Sequence, residues 1–184
     1  MMYYDRREFC QNPAEFQKLL YWASGANSIL EIGCRYGTDL LELVKVMSGR
    51  NKRVVAIDLP NGPWGYPDSE ERLKAAISTL KKGGYDAHLF LGKSQDKAIK
   101  DAVKELGPFD FTFIDGDHRY TMVKQDWEFY GPMSKKVAFH DIQPPLTPGN
   151  AELGVYKLWN ELKDRADAVS YIDPGSPMGV ACIG

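Results

Sequence analysis

The 184-residue chain has no apolar run of the roughly 18 residues that a membrane-spanning helix needs, so no span is expected. It also lacks any basic run or charged tail. Lys and Arg number 23 against 25 Asp and Glu, for a formal net charge of −2. That balance argues against nucleic acid or an anionic membrane surface as the main partner. Cysteine is scarce and scattered: Cys10, Cys34 and Cys182 show no CxxC spacing. An odd count of isolated thiols fits a reducing, cytoplasmic compartment better than a disulfide scaffold. The first residues, Met1–Pro13, carry charges where a secretory leader needs an unbroken apolar stretch. Internal repeats, low-complexity tracts and linker-like segments are missing too, which predicts one domain over residues 1–184. What is plentiful is apolar side chain, 43% of residues, enough for a substantial core.

That apolar material is arranged in alternating periods. Asn12, Pro13 and Glu15 supply a cap, a first-turn proline and an acid for a helix over 13–24, with Phe16, Leu19, Leu20 and Ala23 on one face. Short apolar runs at Ser28–Ile32, Arg53–Ile57, Ala87–Leu91, Phe109–Ile114 and Lys136–Phe139 read as buried strands. Between them lie helical spacings: Leu40 to Met47, Leu73 to Leu80, Ala98 to Leu106 and Val123 to Tyr130. A helix over Val155–Leu162 follows, then strands at Ala168–Ile172 and Met178–Ile183. The alternation implies βαβ units and a parallel sheet. The last connector is too short for a crossover helix and forces an antiparallel hairpin. The fold class is therefore α/β, a doubly wound, Rossmann-like sheet of about seven strands. Leu59–Asp68, with three prolines and two glycines, reads as an exposed loop, and its Trp64 and Tyr66 suggest a lid.

In such sheets ligands bind beyond the carboxyl ends of the strands. The first strand runs into Glu31-Ile-Gly33-Cys-Arg-Tyr-Gly37, an acid followed by G-x-x-x-G. Its glycines allow a ligand close to the backbone, and the next helix offers free N–H groups. The middle glycine of a dinucleotide-binding G-x-G-x-x-G is absent, and a carboxylate there suits a cationic ligand better than pyrophosphate. The second strand ends on Asp58, placed to accept both hydroxyl hydrogens of a ribose. The third ends with Gly92-Lys93-Ser94, the fourth with Asp115-Gly-Asp117-His118 and the fifth with His140-Asp141. Any one of these could be an ordinary turn or cap. The acid–glycine turn, Asp58 and Asp115 on successive strands are harder to obtain by chance.

With these residues the chain resembles the class I S-adenosylmethionine (SAM)-dependent methyltransferases, and among them the small families of cephalosporin-hydroxylase-type proteins and macrolide sugar O-methyltransferases. The resemblance is carried by Ile29–Gly37, Val55–Asp58, Phe113–Tyr120, Asp126-Trp127 and Ala138–Asp141. It implies a seven-stranded sheet whose last strand is antiparallel. It implies SAM held by Glu31, Gly33, Arg35, Gly37, Asp58 and Asp115, with Ser94 near the adenine. It also implies a small-molecule acceptor, a divalent metal at Asp115, His140 and Asp141, and His118 as general base. Such a metal would lower the pKa of the acceptor hydroxyl while the base takes its proton. One departure stands out: the family usually has an acid or acid-like oxygen ligand where this chain has His140. Magnesium prefers oxygen, so the metal differs, or His140 sits behind the ligands, or the site works without metal.

The acceptor pocket is expected from the N-terminal helix, the Leu59–Asp68 loop and the proline-rich Gln143–Asn150 segment, with a homodimer as one way to complete it. His88 reads as a core histidine with its polar atoms satisfied. Three rivals are weaker. A nicotinamide-dependent oxidoreductase conflicts with Glu31 and the missing glycine. A non-catalytic SAM-binding domain leaves His118 and the acids unexplained. A methyltransferase of protein or nucleic acid finds no support in the charge or in an N-P-P-Y-type motif.

Overall fold

In the computed structural model, residues 11–60, 62, 67–145 and 153–184 are described. Among these residues seven strands form one sheet: β1 (Ser28–Ile32), β2 (Arg53–Asp58), β3 (Asp86–Leu91), β4 (Phe109–Ile114), β5 (Ser134–His140), β6 (Ala168–Tyr171) and β7 (Val180–Ile183). Six helices pack on it: α1 (Pro13–Ala23), α2 (Thr38–Leu43), α3 (Ser69–Lys82), α4 (Lys97–Leu106), α5 (Tyr120–Tyr130) and α6 (Val155–Leu162). The spatial order is β3-β2-β1-β4-β5-β7-β6. The first five strands are parallel, and β7 pairs antiparallel with both β5 and β6. The architecture is the α/β sheet expected, with its terminal strands antiparallel. No helix among the described residues is long and apolar enough to cross a membrane.

The two-residue period of each strand divides the core into two layers. Ile29, Val54, Phe111 and Phe113 face α1, α2 and α3, meeting Phe16, Leu19, Leu40 and Leu73. Leu30, Val55, Ile114 and Phe139 face the other way, against Val103, Val123, Tyr130 and Leu158 of α4, α5 and α6. Strands covered on both faces are apolar at nearly every position, as parallel sheets require. Asn12 caps α1 as expected, its Oδ1 accepting the amides of Ala14 and Glu15. The second helix is shorter than its apolar spacing suggested. It ends at Leu43 and tightens into a 3-10 turn at Val44–Val46 before Met47.

His88 does not sit in the core. β3 is an edge strand with one well-buried side chain, Ala87, and His88 Nε2 lies 2.7 Å from Asp86 Oδ1 at the half-exposed edge. An apolar run reads alike for edge and central strands, so only the strand order shows the difference. Trp64 and Tyr66, the residues behind the lid expectation, lie outside the described residues, as does most of the Gln143–Asn150 segment.

Candidate active site

Sheet register places the polar strand ends on one level. Ile32 pairs with both Ile57 and Ile114, and Ile114 pairs with Phe139. The next residue on each strand, Gly33, Asp58, Asp115 and His140, therefore emerges at the same height. The chain changes winding direction between β1 and β4, so the helices diverge there and leave a crevice. Its volume is about 570 Å³. Gly33, Arg35, Asp58, Ser94, Asp115, His118, His140 and Asp141 all line it. Glu31 and Gly37 lie just behind: Glu31 is buried beneath the turn, and Gly37 caps α2 in a left-handed conformation.

Asp58 serves a purpose that spacing alone did not reveal. Its Oδ2 accepts the backbone amides of Cys34 and Arg35, each at 2.7 Å, and so fixes the turn after β1. Burial raises its pKa, although these two hydrogen bonds work against the rise. Arg35 (φ +48) and Asp141 (φ +59) are non-glycine residues in the left-handed region, both at strand ends on the crevice. Such backbone is disfavoured and clusters where a site over-determines it.

The floor of the crevice is crowded with carboxylates. Burial, followed by repulsion from Asp39, Asp115 and Asp58, raises the pKa of Glu31 well above the carboxylate range. Asp39, in the first turn of α2, is raised to about 7, chiefly by burial and then by Asp115. Gln11 joins this group, with Nε2 donating to Asp115 Oδ2 at 2.7 Å and its amide working against the rise at Asp39. Glu31 Oε2, Asp39 Oδ1 and Gln11 Oε1 are buried acceptors with no hydrogen-bond partner among the described residues. Buried polar groups are nearly always paired, so three unpaired acceptors in one place mark a site built for a donor or a cation. Asp39 and Gln11 were not foreseen. An acid in a helix's first turn looks like a dipole partner, and no spacing ties Gln11 to residues a hundred positions away.

Opposite this floor, His118 is held between two acids. Its Nδ1 lies 2.7 Å from Asp141 Oδ2 and its Nε2 3.1 Å from Asp115 Oδ1. Burial lowers its pKa, but the hydrogen bonds and charges of Asp115 and Asp141 prevail and raise it to about 10. Asp115 responds in the opposite sense. Burial would raise its pKa, yet His140 and His118 together hold it far below the carboxylate range. His140 is 5% exposed, with Nδ1 3.4 Å from Asp115 Oδ1 and 3.3 Å from Asp141 Oδ1. His118 therefore does not titrate near neutrality, as an isolated imidazole would; two carboxylates keep its proton in place.

The three residues expected to hold a metal, Asp115, His140 and Asp141, come together around the His118 ring. Among the described residues no group of three or more His, Cys, Asp and Glu side chains is disposed to hold a metal ion. Asp115 and Asp141 instead direct oxygen atoms at the His118 ring, and the positive charge they need is an imidazolium.

A methyltransferase-domain family model matches residues 30–142. No curated protein matches the chain at a significant level. Among solved structures, an O-methyltransferase from Bacillus cereus in complex with SAH is 18% identical with a TM-score of 0.62, the match covering 94% of this chain and 81% of that one. The O-methyltransferase TomG from Streptomyces achromogenes, involved in tomaymycin synthesis and bound to SAM, is also 18% identical, with a TM-score of 0.60 and coverage of 95% and 81%. The N-methyltransferase NodS from Bradyrhizobium japonicum is 15% identical, with a TM-score of 0.62 and coverage of 95% and 98%. At such identities these likenesses speak to the fold, whereas the family model spans most of the chain, from within β1 to just past β5, and the chain belongs to the methyltransferase-domain family.

Proposed function

We propose that this protein is a SAM-dependent methyltransferase acting on a hydroxyl group of a small molecule. The observation that carries the reading is the acid-lined floor: Glu31, Asp39 and Asp115 beside one crevice, the first two each with a buried oxygen lacking a partner. Those acceptors suit a ligand with cationic groups and oppose the pyrophosphate of a dinucleotide. When bound, SAM supplies a methyl group already activated by its sulfonium. The protein's share is to orient the two reactants and to remove a proton from the acceptor. His118 lines the crevice and is the group assigned to that proton. The N-methyltransferase among the similar structures shows that fold does not choose oxygen over nitrogen. A histidine that two acids hold protonated becomes a base once a bound cationic cofactor competes for Asp115, and such a base favours oxygen, because an amine can attack as the free base while a hydroxyl gains most from losing its proton.

Two further expectations follow. Calorimetry is expected to show micromolar binding of SAH and none of NAD; binding of NAD without SAH would overturn the reading. Asp58→Ala should weaken SAH binding by roughly 10–100-fold, since it strands the Cys34 and Arg35 amides and removes the acceptor beside the ribose position. Asp58→Asn keeps one carbonyl oxygen for those amides and should fall between. Equal affinity in all three proteins would remove Asp58 from the binding site.

No step here passes through a metal, because the two acids are engaged by His118. Dialysis against a chelator should therefore leave turnover within about twofold. A loss beyond roughly tenfold, restored by a divalent ion, would return Asp115 and Asp141 to the role of metal ligands.

A further inference from the structure

At the end of the crevice formed by the loop after β3, the side chains of Ser94 and Gln95 are governed by an acid that does not itself reach the cavity. Asp126, in the second turn of α5, is fully buried and is absent from the crevice wall, whereas Ser94 and Gln95 line it. Gln95 Nε2 donates to Asp126 Oδ1 at 2.9 Å and to Ser94 Oγ at 2.8 Å. The Ser94 hydroxyl lies beside the same carboxylate and helps to lower its pKa. Below the loop, Tyr130 donates its hydroxyl to the Ser94 carbonyl at 2.6 Å, which ties the backbone of this corner to the same helix.

The directions of these bonds follow from the acid. A carboxylate only accepts, so the Gln95 amide atom facing Asp126 is nitrogen, and the hydroxyl hydrogen of Ser94, whose oxygen takes the other amide hydrogen, is drawn to the same acid. Ser94 Oγ can then only accept from Gln95, and the amide atom facing both partners must be nitrogen. Both amide hydrogens of Gln95 are thereby engaged, and the polar atom left for the crevice is the carbonyl oxygen. The two side chains offer a ligand acceptors and no donor. Asp126 bears a cost in this position. Its Oδ2 is buried without a partner, and burial raises its pKa to about 7. Packing alone does not ask for either feature.

We infer that Asp126 is a positioning residue that, by fixing the hydrogen-bond polarity of Ser94 and Gln95, makes the crevice select a 6-aminopurine over a 6-oxopurine. The inference rests on the nucleoside-cofactor reading above and adds the determinant of its base selectivity. Along its ring edges adenine carries one strong donor group, the exocyclic amine; its N1, N3 and N7 accept. An acceptor-only corner matches that amine and opposes a carbonyl at the same place, where two oxygens would face each other unpaired.

The test compares SAH with its inosine counterpart, which bears oxygen in place of the amine, by calorimetry at pH 8, where Asp126 is ionised. Wild-type protein should prefer SAH by roughly 10–100-fold. In Asp126→Asn the new amide can donate as well as accept, so Gln95 is free to turn its nitrogen to the crevice. The preference should fall to within about threefold. Gln95→Ala keeps the acid and removes the acceptor, and should collapse the preference as well. The double variant should go no further than either single change, because the two act on one determinant. A merely structural Asp126 would weaken both ligands in parallel and leave their ratio intact, and that outcome overturns the inference. If Asp126→Asn fails to fold, an unchanged ratio in Gln95→Ala overturns it equally. Equal wild-type affinity for the two ligands would sink the inference while sparing the cofactor reading. Absence of SAH binding to the wild type would sink both.

Discussion

His118→Ala is expected to lower turnover by about 10²–10⁴-fold, the range for loss of a general base, while SAH affinity changes little. The wild-type pH profile should carry the same signature. With its pKa at about 10 in the free protein, His118 holds its proton at neutral pH, and kcat/KM should climb with pH over the whole accessible alkaline range. The limb in kcat should lie lower. Asp115, once shared between His118 and a second cation, holds the imidazolium less firmly, and the pKa falls towards a value from which the ring can accept a proton. In the alanine variant both limbs should flatten. Stability gives an independent reading of the same pair. A folded-state pKa raised above the ordinary 6.5 means that His118 stabilises the fold fully below that value, and the contribution disappears as pH rises through about 10. The gap in melting temperature between wild type and variant should therefore narrow from pH 6.5 to 10. A variant with near-normal turnover and an unchanged profile would make His118 structural and leave the proton to an acid or to water.

The same histidine shows where sequence reasoning reaches and where it stops. Its place at the crevice was legible, because three residues past the end of a strand is a short reach whatever the detailed conformation. Its protonation was not, because that depends on Asp141, twenty-three positions away on the neighbouring strand, turning a left-handed residue back towards the ring. The fold was legible for a related reason: strand and helix periods are local, and the parallel sheet follows from their alternation. Strand order is not local. That is why His88, on a run as apolar as its neighbours, was misplaced in the core. Asp39, Gln11 and Asp126 share this limit. Each carries an ordinary local meaning, a helix-start acid, a residue before a helix, an acid inside one, and acquires its role only from chain brought close by the fold.

The glycine that starts the site's turn should be the least replaceable residue of this fold. Gly33 has φ +86, and a Cβ there would lie 2.2 Å from the carbonyl oxygen of Asp115 and 2.5 Å from Gly116 Cα. Neither neighbour is a flexible tip. Both are backbone at the end of β4, held in register where the Asp115 amide donates to the Ile32 carbonyl at 2.8 Å. Gly33 is fixed on its other side by its own amide, which donates to Ile57 of β2 at 2.9 Å. Alanine must therefore push β1 and β4 apart at the level of the crevice floor. Left-handed strain and backbone overpacking together should cost about 2–5 kcal/mol, a fall in melting temperature of roughly 5–20 °C at this size. Cofactor binding should be lost even where the protein remains folded, because Asp115 and the amides after Gly33 move with the strands. Gly37 provides the internal comparison. It too is left-handed, at φ +74, but its Cβ would meet Ala76 Cβ at 2.9 Å and Leu73 Cδ1 at 3.0 Å; the leucine tip can turn aside, and Ala76 gives way with a small shift of α3, which no strand pairing holds. Gly37→Ala should therefore cost about 1–2 kcal/mol, most of it backbone strain, and retain measurable binding. If Gly33→Ala were as stable as Gly37→Ala and still bound SAH, the close approach of β1 and β4 would not be what shapes this site.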